Sequence, residues 1–94
     1  MENLKFLLTI DGVFNIIGRV TVTGKVEKGQ LKKGDKLDLI GGNDYVIETK
    51  CMQIEKYRKL VDVAQEGEWI GIVLLGVSHS EIRKGMQLII EDIS

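Results

Sequence analysis

The sequence predicts an all-β chain folded as a closed antiparallel barrel of six or seven short strands. Arg19 to Glu27 alternates without a break, placing Val20, Val22, Gly24 and Val26 on one face. Arg19, Thr21, Thr23, Lys25 and Glu27 fall on the other. That period of two marks a half-buried strand. The apolar runs are short and set off by glycines, with 11 Gly and no Pro in the chain. Glycine at such places serves hairpins that need positive φ. The inward positions are Val, Leu and Ile with few aromatics, which favours a barrel over a sandwich.

Taken in order, Leu4–Ile10 alternates and reads as the first strand. Asp11-Gly12 marks a turn or bulge, and Val13–Gly18 a short extended segment that changes direction. The main strand begins at Arg19, and Gly24 on its inward face calls for a tight bend or a close backbone approach. Glu27–Gly34 reads as a connection and Lys36–Ile40 as a strand with Leu37 and Leu39 inward. Gly41-Gly42-Asn43-Asp44 is a turn signal. Tyr45–Tyr57 is long and extended, with Met52 and Ile54 on one side and Cys51, Gln53, Glu55 and Tyr57 on the other. Leu60–Ala64 is too short for a stable helix and reads as a loop with apolar anchors. Gln65–Glu68 is a turn. Ile70–Leu75 is apolar at nearly every position, as in a strand covered on both faces. After the polar loop Ser78–Gly85, Met86–Ile90 closes the sheet with Met86, Leu88 and Ile90 inward.

The totals narrow the function. Ninety-four residues make one domain, 1–94, and a net charge of −1 excludes a general nucleic-acid-coating role. It leaves room for a local contact with an RNA end. The single cysteine, Cys51, forms no internal disulfide, and without a signal peptide a reducing, cytoplasmic compartment is expected. The apolar runs are too short to span a bilayer, so no membrane partner is expected. Cys51 has no His or Cys company with metal-ligand spacing. His79 sits in a polar loop without catalytic partners, and Asp35, Asp38 and Asp44 lack a calcium-loop pattern. Arg83-Lys84 is a small basic pair. No metal, no cofactor and no enzyme activity is expected.

One resemblance runs along the whole chain. Its residues are Phe6-Leu7-Leu8, Val13-Phe14-Asn15-Ile16-Ile17-Gly18-Arg19, Thr23-Gly24-Lys25-Val26-Glu27-Lys28-Gly29 and Leu31-Lys32-Lys33-Gly34-Asp35. They continue in Ile54-Glu55-Lys56-Tyr57-Arg58-Lys59, Gly67 with Gly71, Leu74-Leu75-Gly76-Val77 and Ile82–Leu88. In this order and spacing the chain resembles the second domain of elongation factor Tu and related translational GTPases. The resemblance implies a Greek-key β-barrel of the translation-factor domain 2 type. It does not bring GTP hydrolysis, because the phosphate loop G-x-x-x-x-G-K-[ST] is absent from this sequence, so no GTP binding is expected.

What the resemblance implies is a non-catalytic binding module. Its partner would be the 3′ acceptor end of a tRNA, another RNA end or a ribosomal component. By resemblance, Phe14 and Ile16 match the apolar wall of the family's pocket for a terminal adenosine. Thr23, Glu55 and Arg58 match polar residues around it, and Tyr57 stands where the family often has an aromatic or His. The sequence also departs from the pattern. Thr9 replaces a usual Pro, and Arg19–Thr23 is one residue shorter than the usual segment, which predicts a lost bulge. Trp69 stands where Asn is common, placed to stack on a base, block the pocket or meet a partner. From residue chemistry alone Phe14 and Ile16 read first as core and only second as pocket, and Glu55 with Arg58 first as a solvated ion pair. The alternative function is a protein–protein interaction module that kept the barrel and lost RNA binding.

Overall fold

The computed structural model describes residues 3–42 and 45–92. Of the expected turn at Gly41–Asp44, Asn43 and Asp44 lie outside them. The strands are β1 (Leu4–Ile16), β2 (Arg19–Lys32), β3 (Lys36–Ile40), β4 (Val46–Lys56), β5 (Lys59–Val61), β6 (Val63–Gln65), β7 (Trp69–Leu75) and β8 (Gln87–Glu91). Six of them close a barrel in the order β1-β8-β3-β4-β7-β2, with β2 returning to β1. Every pairing is antiparallel. β8 lies beside β3 in the β3-β4-β7 meander, which is the Greek-key order. Two short strands are appended, β5 on β4 and β6 on β2.

Alternation determines the core. Phe6, Leu8 and Ile10 of β1, Val20, Val22 and Val26 of β2, and Ile70, Ile72 and Leu74 of β7 all point inward and are buried. Val22, Ile72 and Ile54 stand in one row across β2, β7 and β4, each at 0% exposure. Gly24 is the close approach its inward position predicts. A Cβ there would lie 2.5 Å from the carbonyl oxygen of Thr9 and 2.8 Å from Leu8 Cδ2. Along Arg19–Thr23 the ladders to β1 and β7 run without irregularity, as the shortened segment predicts. Thr9 donates its N–H to Glu27 Oε2 at 3.0 Å, a bond that Pro at this position could not make.

Several expectations are corrected. β1 does not end at Ile10; a bulge at Asp11 absorbs one residue and the strand continues to Ile16 against β2. β2 does not become a connection at Glu27. It runs on to Lys32 because Leu31 is buried and Gln30–Lys32 pairs with β6. The expected loop Leu60–Ala64 is instead the strands β5 and β6 either side of Asp62. β7 is covered on one face only, since Gly71 and Val73 are half-buried and Leu75 is exposed. Cys51 is not outward. A register shift between Cys51 and Gln53 turns both Cys51 and Ile54 into the core. In β8, Leu88 and Ile89 are buried while Ile90 is half-buried, as is Met86 just before the strand. Ile89 is flanked in the sheet by Leu7 and Asp38.

Candidate functional site

The outer face of the same strands carries the site. Paired residues across a sheet share a face, so the registers give two continuous outward rows. One runs Gly12, Thr23, Gly71, Glu55 and Leu60 across β1, β2, β7, β4 and β5. The next runs Phe14, Thr21, Val73 and Gln53. The first row is low in its middle, because Gly71 has no side chain and Thr23 a short one. Larger side chains rise around it. Over the second row and the Glu55–Leu60 end of the first lies an open groove of about 350 Å³ lined by Ile16, Ile17, Arg19, Thr21, Gln53, Glu55, Leu60 and Val73.

Gly71 lies beside the Glu55 end of this groove, outside its lining. A Cβ built there would lie 3.8 Å from Glu55 Oε1 and 3.9 Å from Thr21 Cγ2. The Glu55 carboxylate therefore leans over the bare backbone of β7 toward β2. No side chain of the described residues forms an ion pair or hydrogen bond with Glu55. A carboxylate in that state can accept two hydrogen bonds from a ligand. At the β1 side, a Cβ at Gly12 would lie 2.9 Å from both Phe14 Cε2 and Thr23 Oγ1. The Phe14 ring and the Thr23 hydroxyl thus close together over Gly12.

Two tight hairpins border the groove. Ile17-Gly18 joins β1 to β2 with φ of 51° and 75°, and Tyr57-Arg58 joins β4 to β5 with φ of 53° and 64°. Two central residues at positive φ form a type I′ turn, which normally draws Asn-Gly. Here a β-branched residue and an aromatic take the strained places instead. Their side chains are not compensated by burial, since Ile17 is 97% and Tyr57 86% exposed. Strained positions of this kind cluster at functional sites in proteins generally.

The structure brings some of the sequence-derived residues together and separates others. Ile16 and Glu55 line the groove, and Phe14 and Thr23 stand in its two rows toward β1. Tyr57 and Arg58 occupy the tip of the β4–β5 turn and are not among its lining residues. Arg58 forms no ion pair with Glu55, so that pairing is not the state of either residue. Trp69 pairs with Lys25 one row beyond Thr23 and Gly71, more than half exposed and outside the groove. Arg19, Thr21, Gln53, Leu60, Val73 and Ile17 were not singled out as site residues. Outward alternation marks Arg19 and Thr21 in the sequence. Leu60 and Val73 have no such signal, because their exposure depends on the β4–β5 hairpin and on the one-sided burial of β7.

Outside the groove lining, Lys56 Nζ donates to Glu68 Oε2. Gln65 N–H donates to Glu68 Oε1 at 2.7 Å. The Lys56 hydrogen bond, followed by that from Gln65, holds the Glu68 carboxyl below its ordinary pKa. Burial pushes the Cys51 thiol up to about 11, which leaves it protonated and unreactive. Among the described residues no cluster of His, Cys, Asp and Glu is placed to hold a metal ion, and no helix is long and apolar enough to cross a membrane.

The comparison with known families agrees with this architecture. The family model of elongation factor Tu domain 2 matches residues 19–89, from the first residue of β2 to the middle of β8. That span holds five of the six barrel strands and most of the groove. With a six-stranded Greek-key barrel and a match over most of its length, the chain belongs to the elongation factor Tu domain 2 family, the barrel module of translation factors.

Proposed function

We propose that the groove between the two hairpins binds the 3′-terminal adenosine of an RNA, such as the acceptor end of a tRNA, without catalysis. The observation that carries this reading is Glu55, without an ion-pair or hydrogen-bonding partner among the described residues, leaning over Gly71 beside an apolar wall of Ile16, Val73 and Leu60. A carboxylate accepts from ribose hydroxyls, and aliphatic side chains cover a base face. At about 350 Å³ the groove is at the small end of ligand sites, roughly 300–1,000 Å³, which suits one nucleoside. Phe14, Thr23, Tyr57 and Arg58 flank it and would meet the preceding nucleotides. A site of this kind binds weakly when alone, since stacking is worth about 1–3 kcal/mol per base.

The test is a chemical-shift titration with a short oligonucleotide ending in CCA against one ending in CCU. Shifts at Ile16, Thr23, Glu55 and Val73 that are larger for CCA and lost in Glu55→Ala support the proposal. Equal shifts for the two ends, or none at millimolar RNA, refute it. The exposed Ile17, Tyr57 and Trp69 favour a second reading, a protein-interaction module. In that case a protein ligand, and not RNA, shifts those three residues.

A further inference from the structure

A second groove, of about 500 Å³, opens at the other end of β1, where strands β1, β2, β3 and β8 meet at the barrel mouth. It is lined by Lys5, Gln30, Lys32, Asp35, Lys36 and Ile90. We infer that it is a docking surface for the phosphodiester backbone of single-stranded RNA.

Charge is the first argument. Three lysines from three different strands face one carboxylate. None of the three ammonium groups forms an ion pair with a described residue. Three lysines against the single aspartate of the lining leave a surplus of two positive charges, and the carboxylates nearby also accept backbone hydrogen bonds. Asp35 Oδ2 accepts the Lys32 backbone N–H at 2.9 Å, and Glu66 Oε1 accepts the Gly29 N–H at 3.0 Å. In a chain with net charge −1, a lining of three lysines and one aspartate is a local cationic feature on strands of which β3 and β8 also carry Asp38 and Glu91.

Shape is the second. Lys5, Lys32 and Lys36 are all exposed, and the groove is open rather than enclosed. A small anion held only by exposed ammonium groups stays fully hydrated and gains little. A backbone presents several phosphates in series and releases a counterion at each one neutralised. Lysine suits this because it acts as a point charge without a required bidentate geometry. The half-buried Ile90 and the amide of Gln30 offer contacts that do not depend on base identity.

The inference does not rest on the adenosine reading, and the probe keeps the two apart. The experiment titrates the whole chain with octauridylate, which has no adenosine, while recording amide shifts and the dependence of affinity on salt. Expected are shifts centred on Lys5, Gln30, Lys32 and Lys36. The slope of log K against log salt should be about −2, the value for three phosphates neutralised on a single strand. Lys5→Gln/Lys32→Gln/Lys36→Gln should flatten the slope toward zero. Each single variant should reduce it by about 0.7, which keeps the test valid if the triple variant folds poorly. A control triple, Lys25→Gln/Lys59→Gln/Lys84→Gln, should leave it unchanged. The inference is overturned by a slope near zero or by equal loss in the control triple. Binding of pyrophosphate but not octauridylate at the same lysines also overturns it.

Discussion

Strands β2, β7 and β4 carry two faces with opposite rules. On the inner face Val22, Ile72 and Ile54 form a row at 0% exposure, fixed by packing on all sides. One residue along, on the outer face, Thr23, Gly71 and Glu55 form a row whose middle member has no side chain and whose last has no described ion-pair or hydrogen-bonding partner. The inner row is explained completely by the fold. The outer row is not, and that contrast is the physical reason for reading it as a site.

The largest expected effect tests the inner row. Ile72→Ala removes a fully buried side chain and should cost about 2–5 kcal/mol, a large share of the roughly 5–15 kcal/mol that stabilises a small domain. Urea unfolding should show a much lower midpoint with an unchanged slope, while Val73→Ala on the outer face should cost much less. Equal losses would mean that the two faces are not distinct.

Next comes Ile17→Asn, which creates the Asn-Gly pair favoured by a type I′ turn. A non-glycine, non-Asn residue in the left-handed region costs about 1–2 kcal/mol, and Ile17 has almost no burial to lose. The variant should therefore be about 1 kcal/mol more stable, raising the thermal midpoint by roughly 4–8 °C. A lower midpoint would show that Ile17 is held by contacts in the fold.

Gly71→Ala sharpens the outer row. The added methyl fits at ordinary contact distance, 3.8 Å from Glu55 Oε1, and the backbone has no positive φ that would strain it. Stability should stay within about 0.5 kcal/mol. Affinity for the CCA end should fall several-fold because the methyl limits a ligand's approach to the Glu55 carboxylate. Unchanged affinity would remove Gly71 from the site.

The smallest effect is electrostatic. The Glu68 carboxyl is held below its unfolded pKa by Lys56 and the Gln65 N–H. It therefore contributes stability above the unfolded pKa, near 4.5, and loses it as pH falls through the folded value. The sign follows from the unfolded chain binding more protons in that window. Glu68→Gln should flatten the acid limb of the stability profile slightly, and an unaltered limb would mean the pairing is absent in solution.

Much of the barrel was legible because alternation over Leu4–Ile10, Arg19–Val26 and Lys36–Ile40 reports burial directly. Failures came where periodicity is uninformative. Three residues of β5 and three of β6 are too few to show a period, and Tyr57-Arg58 lacks the composition of the turn it forms. Alternation alone puts Cys51 outward, whereas a bulge changes the phase of β4, which no local pattern announces. Phe14, Ile16, Thr23 and Glu55 came from the family resemblance, and the registers bring them to one surface. Val73 and Leu60 depend on which side of β7 is covered and on where β5 folds back, facts of tertiary structure alone.

The central claim is that a terminal adenine sits against Ile16 and Val73 with its ribose at Glu55. An isotope-filtered NOE experiment on methyl-labelled protein saturated with the CCA oligonucleotide tests it directly. The account predicts contacts from the adenine H2 and H8 protons to the methyls of Ile16 and Val73. Contacts confined to Ile90 at the opposite groove, or no intermolecular contacts at saturation, would contradict it.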